Sequence, residues 1–159
     1  ASFIVVDDVR GAAFDRVTAP AFSGDGRTVA YGARRAGRWY RVVGEHATAV
    51  VDEIVSVFLN HNGTKIGCVV QKGRDQVVVT DRRGPAFRWI GGPQFAPDDR
   101  VVYLAERAGT KLVVAGDREI ALGDWIVWGP TLSADGRSVS LGARIGQELW
   151  HKVVRLPGE

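Results

Sequence analysis

The feature that most constrains this chain is an internal repeat of 36 to 37 residues, visible as a turn motif that recurs four times. Its copies begin at Phe22, Leu59, Phe95 and Leu132, and three of the four carry an aspartate at the fourth position. Three columns in register predict a stack of similar supersecondary units. The other two columns are the apolar residues Val29, Ile66, Val102 and Val139, and the glycines Gly37, Gly73, Gly109 and Gly146.

Inside one unit, apolar and polar residues alternate, which is typical of β-strands. The first unit predicts a strand from Val17 to Phe22, an Asp-Gly turn, a second strand from Val29, a third from Trp39 to Val43, and a fourth around Val50 and Val51. Glycine in that turn adopts a positive φ without steric cost. No segment sustains a helical period. The chain is therefore predicted to be all-β, a β-propeller of about four 36–37-residue, four-stranded blades.

The turn motif resembles that of the bacterial WD-repeat-like β-propeller repeats found in the Tol-Pal translocation protein and in propellers attached to prolyl-oligopeptidase-type enzymes. The resemblance rests on an aromatic-Ser-Pro-Asp-Gly signature followed by a short apolar strand. It covers nearly the whole chain and implies a fold, but it implies no activity, because the motif marks a turn rather than a site. The matching segments are 22–26, 95–98 and 132–136, while 59–63 is more divergent.

The repeat boundaries predict a single array, with blades near 17–53, 54–89, 90–125 and 126–159. Residues 1–16 supply closing strands, because Phe3 to Val6 and Ala12 to Asp15 match the third and fourth strands of a blade. This count gives one strand more than four blades need, and an open sheet edge favours association. Three arrangements stay open: a closed four-bladed monomer, an end-to-end dimer that forms an eight-bladed ring, and a fragment of a longer array.

Composition excludes several classes of protein. The 159 residues are 45% apolar and 25% charged, as expected for a globular chain rather than a disordered one. No apolar run is long enough to span a bilayer, and the single cysteine excludes an internal disulfide framework. No signal peptide is predicted in the sequence as given, which leaves cytoplasmic and periplasmic locations open. A net charge of +3 is too small to favour a nucleic-acid partner.

No arrangement of catalytic or metal-binding residues is predicted. His46, His61 and His151 fall in different repeats without ligand spacing, and Cys68 falls in an apolar column with Tyr31, Leu104 and Leu141. The turn aspartates repeat at equivalent positions, so we expect them to bond the turn backbone. We therefore predict no catalytic residues, no metal site, no cofactor and no enzymatic activity.

A basic surface is the remaining candidate. The loops between second and third strands carry eight basic residues, and they should share one face with the loops that lead into the next blade. Trp and Arg dominate interface hot spots, so this face predicts a protein partner, acidic in character. The alternative is that these arginines pair with neighbouring acidic residues and are solvated. The predicted binding residues are Arg74, Arg88, Trp89, Arg107, Trp125 and Trp128.

Together these features predict a non-enzymatic binding or scaffold module. Two alternatives remain: a propeller domain cut from a larger enzyme or translocation machine, and half of an eight-bladed dimeric propeller with a ligand site in its channel.

Overall fold

The structure is a computed structural model that describes residues 1–157, apart from the side chain of Ile126, and those residues form strands and no helix. The predicted repeat 126–159 thus ends outside the described residues at positions 158 and 159. Within residues 1–157, no helix offers the length and apolar character that crossing a bilayer requires. The strands are β1 Val5–Val6, β2 Val9–Arg10, β3 Arg16–Val17, β4 Ala21–Phe22, β5 Val29–Arg35, β6 Arg38–Val43, β7 His46–Val50, β8 Glu53–Leu59, β9 Ile66–Lys72, β10 Asp75–Val79, β11 Arg83–Phe87, β12 Trp89–Phe95, β13 Val101–Arg107, β14 Thr110–Ala115, β15 Arg118–Gly123, β16 Ile126–Leu132, β17 Ser138–Ile145 and β18 Glu148–Arg155.

The chain divides into two compact units, residues 1–86 and 87–159. The first unit holds the β1–β2 hairpin, a sheet in which β3 and β4 both pair with β5 ahead of β6 and β7, and the sheet β8-β9-β10-β11. The last residue of β11, Phe87, is the first residue of the second unit. The second unit holds the sheets β12-β13-β14-β15 and β16-β17-β18. Successive strands are antiparallel neighbours in each sheet, as in propeller blades. The predicted all-β class is confirmed, whereas the four-bladed ring and its repeat boundaries stay predictions.

The four turn motifs share one hydrogen-bonding scheme. In each, the side-chain Oδ1 of Asp or Asn accepts the backbone N–H two residues later, which is an Asx turn. Ser23 and Ser133 strengthen the first and fourth turns by donating to Asp25 and Asp135 at 2.6 Å. The expectation that these aspartates bond the turn backbone is confirmed. The four N–H to Oδ1 bonds join Arg27 to Asp25 (3.1 Å), Thr64 to Asn62 (3.2 Å), Arg100 to Asp98 (3.1 Å) and Arg137 to Asp135 (3.0 Å).

Because of these bonds, the thermal stability at low pH depends on the ionisation of two carboxyl groups, those of Asp25 and Asp135. The serine hydroxyl, and next the backbone N–H, lower the pKa of Asp25 and of Asp135 below 3.8. A lowered folded-state pKa contributes stability above the ordinary aspartate pKa, and that contribution disappears as pH falls through the lowered value. We expect D25N/D135N to keep both turns, as Asn62 does, and to reduce the loss of Tm between about pH 5 and about pH 2.

The control for this pH profile is D8N/D117N, which removes two exposed aspartates of other turns and leaves the net charge equal to that of D25N/D135N. Tm is followed by circular dichroism at each pH. Equal flattening of the profile in both double variants would mean that global charge, rather than the turn bonds, sets the acid response.

The predicted first strand, Val17 to Phe22, is broken in the structure. Two short strands, β3 and β4, take its place beside β5, and the backbone N–H of Gly32 donates to the Thr18 hydroxyl across the gap at 2.9 Å. Pro20 lies in this gap, and it has no N–H to donate to a ladder. In the three sheets that begin with β8, β12 and β16, the first strand has a β-bulge near the corresponding place, and Pro93 and Pro130 lie within two of these bulges.

The third repeat is also one residue shorter than its alignment suggests. The turn-closing backbone bond spans five residues in the first repeat, from Ser23 N to Thr28 O, but four in the third, from Ala96 N to Arg100 O. The strand after the short turn therefore starts one residue earlier. The residue equivalent to Tyr31 and Cys68 is Tyr103 and not Leu104, which corrects the predicted column. Val102 is nevertheless buried, because it faces the opposite side of the same strand.

The predicted pair of N-terminal strands is shifted as well. Val5–Val6 pairs with Val9–Arg10, whereas the Ala12–Asp15 segment forms a bridge from Phe14 to Ser2 and a backbone bond from Asp15 N to Arg34 O at 2.7 Å. The tight turn between the two short strands places Asp7 and Asp8 at φ 48° and 63°, a region that aspartate tolerates. That residues 1–16 close a blade remains a prediction.

Each unit has its own apolar core between two sheets. In the first unit, Ala30 and Trp39 pack with Ile54, Cys68 and Val70. The sheets approach so closely that a Cβ on Gly32 would lie 2.6 Å from Cγ2 of Ile54, so only glycine fits there. In the second unit, β13 and β14 contribute Val102, Leu104, Val113 and Ala115, and the next sheet contributes Val127, Val139, Leu141, Ala143 and Leu156.

Candidate binding surface

Three of the predicted binding residues meet at one end of the sheet β12-β15. The N–H of Arg88 donates to the carbonyl of Glu106 at 2.8 Å, and Trp89 is paired with Glu106 across the ladder. Arg107 follows Glu106 and begins the turn to β14. The loop after the second strand and the entry to the first strand thus share this end of the sheet, as the sequence predicts. We call Arg88, Trp89, Glu106, Arg107 and Lys111 the loop-end cluster.

Arg107 is held by partners within its own unit. Its guanidinium donates two hydrogen bonds to the Glu119 carboxylate, at 2.8 and 3.0 Å, and lies 4.5 Å from the ring centroid of Phe87. Phe87 is fully buried and meets Tyr103 edge to face. Burial, and next the Glu119 carboxylate, raise the pKa of Tyr103 to about 12. These contacts match the alternative in which basic residues pair with acidic neighbours, so Arg107 closes the edge of a core.

The same stack occurs in the first unit, which indicates a structural device of the repeat. Arg35 lies 4.4 Å from the ring centroid of Phe14, and Phe14 meets Tyr31 edge to face at 6.2 Å. Arg35 donates to the Ala13 carbonyl at 2.6 Å, where Arg107 uses Glu119. An arginine over a phenylalanine over a tyrosine therefore caps one core in each unit.

Trp89 is the exposed aromatic residue of the loop-end cluster. Its side chain is 36% exposed, and the Lys111 ammonium lies 5.2 Å from its ring centroid. Lys111 also donates to the Glu106 carboxylate. A Cβ on Gly91 would lie 2.3 Å from the Trp89 ring, so the absence of a side chain at Gly91 leaves room for the indole. The indole is thus fixed in position and still reachable from solvent.

Trp125 directly precedes β16 and Trp128 lies on it, and the two have different environments. Trp125 is partly buried on the apolar core, and the Lys152 ammonium lies 5.3 Å from its ring. Trp128 is 47% exposed and lies flat over Gly142, its neighbour in the ladder. Trp125 therefore contributes mainly to the core, whereas Trp128 offers apolar surface.

Arg74 lies in the first unit, exposed in the turn between β9 and β10. The predicted grouping of Arg74 with the loop-end cluster stays a prediction.

The loop aspartates of the first unit have specific partners. The Asp15 carboxylate accepts the N–H of Ala36 at 2.8 Å, so it fixes the turn after β5. Asp52 accepts from Arg83 at 2.6 Å, although the sequence prediction placed Arg83 in neither set of loops. Both contacts join segments that are far apart in sequence, which explains why spacing alone did not identify them.

The residues considered for catalysis are dispersed. His46, His61 and His151 are exposed on β7, on the second turn and on β18. Cys68 is buried in the first core, and burial raises the pKa of its thiol. Among residues 1–157, no three His, Cys, Asp or Glu side chains form a group that could hold a metal ion.

Known proteins resemble this chain in structure rather than in sequence. No protein-family model matches it, and no curated protein matches it. Its fold is similar to the crystal structure of TolB from Acinetobacter baumannii, with a TM-score of 0.61 and 14% identity over 89% of this chain and 41% of that one. It is also similar to the dihydro-heme d1 dehydrogenase NirN in complex with DHE, with a TM-score of 0.53 and 16% identity over 87% of this chain and 34% of that one.

At these identities the likeness concerns the fold alone. It confirms that the chain has a bacterial propeller-type repeat fold, as the turn motif predicts. The chain spans less than half the length of either structure.

Proposed function

We propose that the chain is a β-propeller binding module that takes an acidic protein partner at the loop-end cluster. The observation that carries this proposal is the indole of Trp89, which is 36% exposed, fixed over Gly91 and close to the Lys111 ammonium. Arg88, which is exposed, directly precedes it in the chain. Tryptophan supplies apolar contact area at low entropic cost, and arginine donates paired hydrogen bonds to carboxylates.

The members of the predicted patch have separate roles in this proposal. Trp89 and Arg88 contact the partner, and Trp128 extends the apolar area on the next sheet. Arg107 and Trp125 position these residues through Phe87, Glu119 and the core. Because the basic residues are exposed, association should weaken as salt rises.

Binding is tested with a fluorescein-labelled peptide rich in glutamate, by anisotropy, on the full chain. R88E/W89A should weaken binding by about tenfold or more, because it removes the apolar anchor and reverses one charge. R118E is the matched control, since Arg118 is exposed at the opposite end of the same sheet. Equal losses in the two variants would indicate generic charge attraction and overturn the site.

Two other arginines at the opposite end of these sheets, Arg100 and Arg137, are unsuitable as controls. Arg100 donates to the carbonyls of Gly136 and Pro157, so its reversal would disturb the packing of two turns. Arg137 lines a cavity that Arg100 also lines. Arg27 and Arg118 remain as exposed alternatives.

A second candidate is a propeller that is completed by a further copy of the chain. The supporting observation is an exposed apolar face on the sheet β16-β18, where Trp128, Leu149 and Val153 are 47%, 75% and 58% exposed. Pairing between end strands of two copies would cover such a face and give an eight-bladed ring. Light scattering should then give twice the mass of one chain. The mass of a single chain would leave the monomer, or a domain of a longer enzyme or translocation protein, as the alternatives.

A further inference from the structure

The second unit contains a cavity of about 810 Å³ at the end of its sheets opposite to the loop-end cluster. The Asx turns of the third and fourth motifs form two of its walls, and the end of β18 forms another. It is remote from the surface proposed for a protein partner. The lining residues are Asp98, Arg100, Asp135, Arg137, Ser138, Arg155, Leu156 and Pro157.

The two carboxylates of the cavity are already engaged within their own turns. Asp135 Oδ1 accepts both the Ser133 hydroxyl and the Arg137 N–H. Asp98 Oδ1 accepts the Arg100 N–H. Their charge lowers the positive potential of the cavity without cancelling it, because three arginines face two aspartates.

The basic side chains have more donor capacity than their contacts use. Arg100 is 19% exposed and is fixed by bonds to Pro157 O at 2.9 Å and Gly136 O at 3.1 Å. Its Nε lies 3.6 Å from Asp98 Oδ2, beyond hydrogen-bond distance, and has no acceptor among the described residues. In residues 1–157, no hydrogen bond and no ion pair within 4 Å is found for the guanidinium groups of Arg137 and Arg155, although the charge of Arg137 helps to lower the pKa of Asp135.

Comparison of the four repeats shows that the turns do not require all the arginines of this cluster. In each Asx turn, one residue donates its N–H to the Asp or Asn side chain. In the second unit both of these residues are arginines, Arg100 and Arg137. In the first unit they are Arg27 and Thr64. The fold therefore accepts threonine at this position. The second unit therefore differs from the first in having arginine at this position in both of its turns, and Arg155 on β18 lies beside them in the cavity wall.

We propose that this cavity binds a compact multivalent anion, a phosphate group or a small polycarboxylate, through Arg100, Arg137 and Arg155. A pre-positioned guanidinium flanked by two more arginines offers the paired N–H donors that phosphate and carboxylate oxygens accept. Ser138 also lines the cavity, and a serine hydroxyl can donate to the oxygens of such an anion. This site is independent of the proposed protein partner, since it uses none of the loop-end residues.

The test is calorimetric titration of the full chain with inorganic phosphate and, separately, with citrate, at constant ionic strength. We expect saturable binding of at least one of them, and the tighter of the two identifies the anion class. R137Q/R155Q should weaken it by about tenfold or more, because each lost guanidinium removes a charge-assisted contact. Both side chains are exposed, so this variant should fold, which its circular dichroism spectrum checks.

The matched control is R82Q/R118Q, which removes two exposed arginines elsewhere and gives the same net charge. This control should bind the anion as the unaltered chain does. Equal weakening in both double variants, or no saturable binding of either anion at tens of millimolar, would overturn the proposal.

Discussion

Replacing Val102 by aspartate is expected to unfold the chain at ordinary temperature. Val102 is 3% exposed and lies in the core of the second unit with Leu104, Val113 and Val139. An unpaired carboxylate in such a layer costs more than about 4 kcal/mol, which approaches the whole stability of many domains. Thermal denaturation followed by circular dichroism measures the effect.

Val51→Asp is the matched control, because the same chemical change is made at a residue that is 99% exposed. It should leave Tm nearly unaltered. If Val102→Asp were as stable as Val51→Asp, the assignment of β13 to the core would be wrong.

Replacing Phe87 by alanine is expected to produce the second largest loss. The ring is 1% exposed, meets Tyr103 edge to face at 5.9 Å, and supports the Arg107 guanidinium at 4.5 Å. Removing a buried phenylalanine costs about 3–5 kcal/mol, and here it also removes the support of an ion-paired arginine. Denaturant unfolding monitored by tryptophan fluorescence gives the change in the free energy of unfolding.

Phe22→Ala serves as the control, since Phe22 is 57% exposed. Phe14→Ala removes the corresponding ring in the first unit and should cost a similar amount to Phe87→Ala. A loss at Phe87 no greater than that at Phe22 would contradict the role assigned to the stack.

The repeat made the fold predictable because it fixes turns and strands together. The Asp-Gly turns, the antiparallel sheets and the burial of Cys68 follow from alternation and spacing. The break in the first strand could not be predicted from the apolar alternation. Pro20 lacks the backbone N–H that would bond to the neighbouring strand, but it does not disturb the alternation of apolar residues. The shift at Tyr103 was missed because valine occupies both 101 and 102, so either register satisfied the apolar column.

The sequence predicted which end of a sheet Arg88, Trp89 and Arg107 occupy, but it did not predict the contacts that their side chains make. Loop spacing placed Arg88, Trp89 and Arg107 at one end of a sheet, and the structure brings them together there. The sequence could not show that Arg107 forms an ion pair with Glu119, because that contact joins the second and fourth strands of one sheet across 12 residues. Nor could it separate exposed Trp128 from partly buried Trp125, which differ by only three positions.

The interruptions in the first strands bear on how this chain avoids aggregation. In the sheets that begin with β8, β12 and β16, the first strand is one of the two edges of its sheet, and a regular edge strand can pair with a foreign strand. A bulge in each of these edges, with Pro93 and Pro130 inside two of them, spoils the regular hydrogen-bond spacing that such pairing needs. Each of these three sheets therefore has one edge at which fibre-like pairing with a second chain is disfavoured.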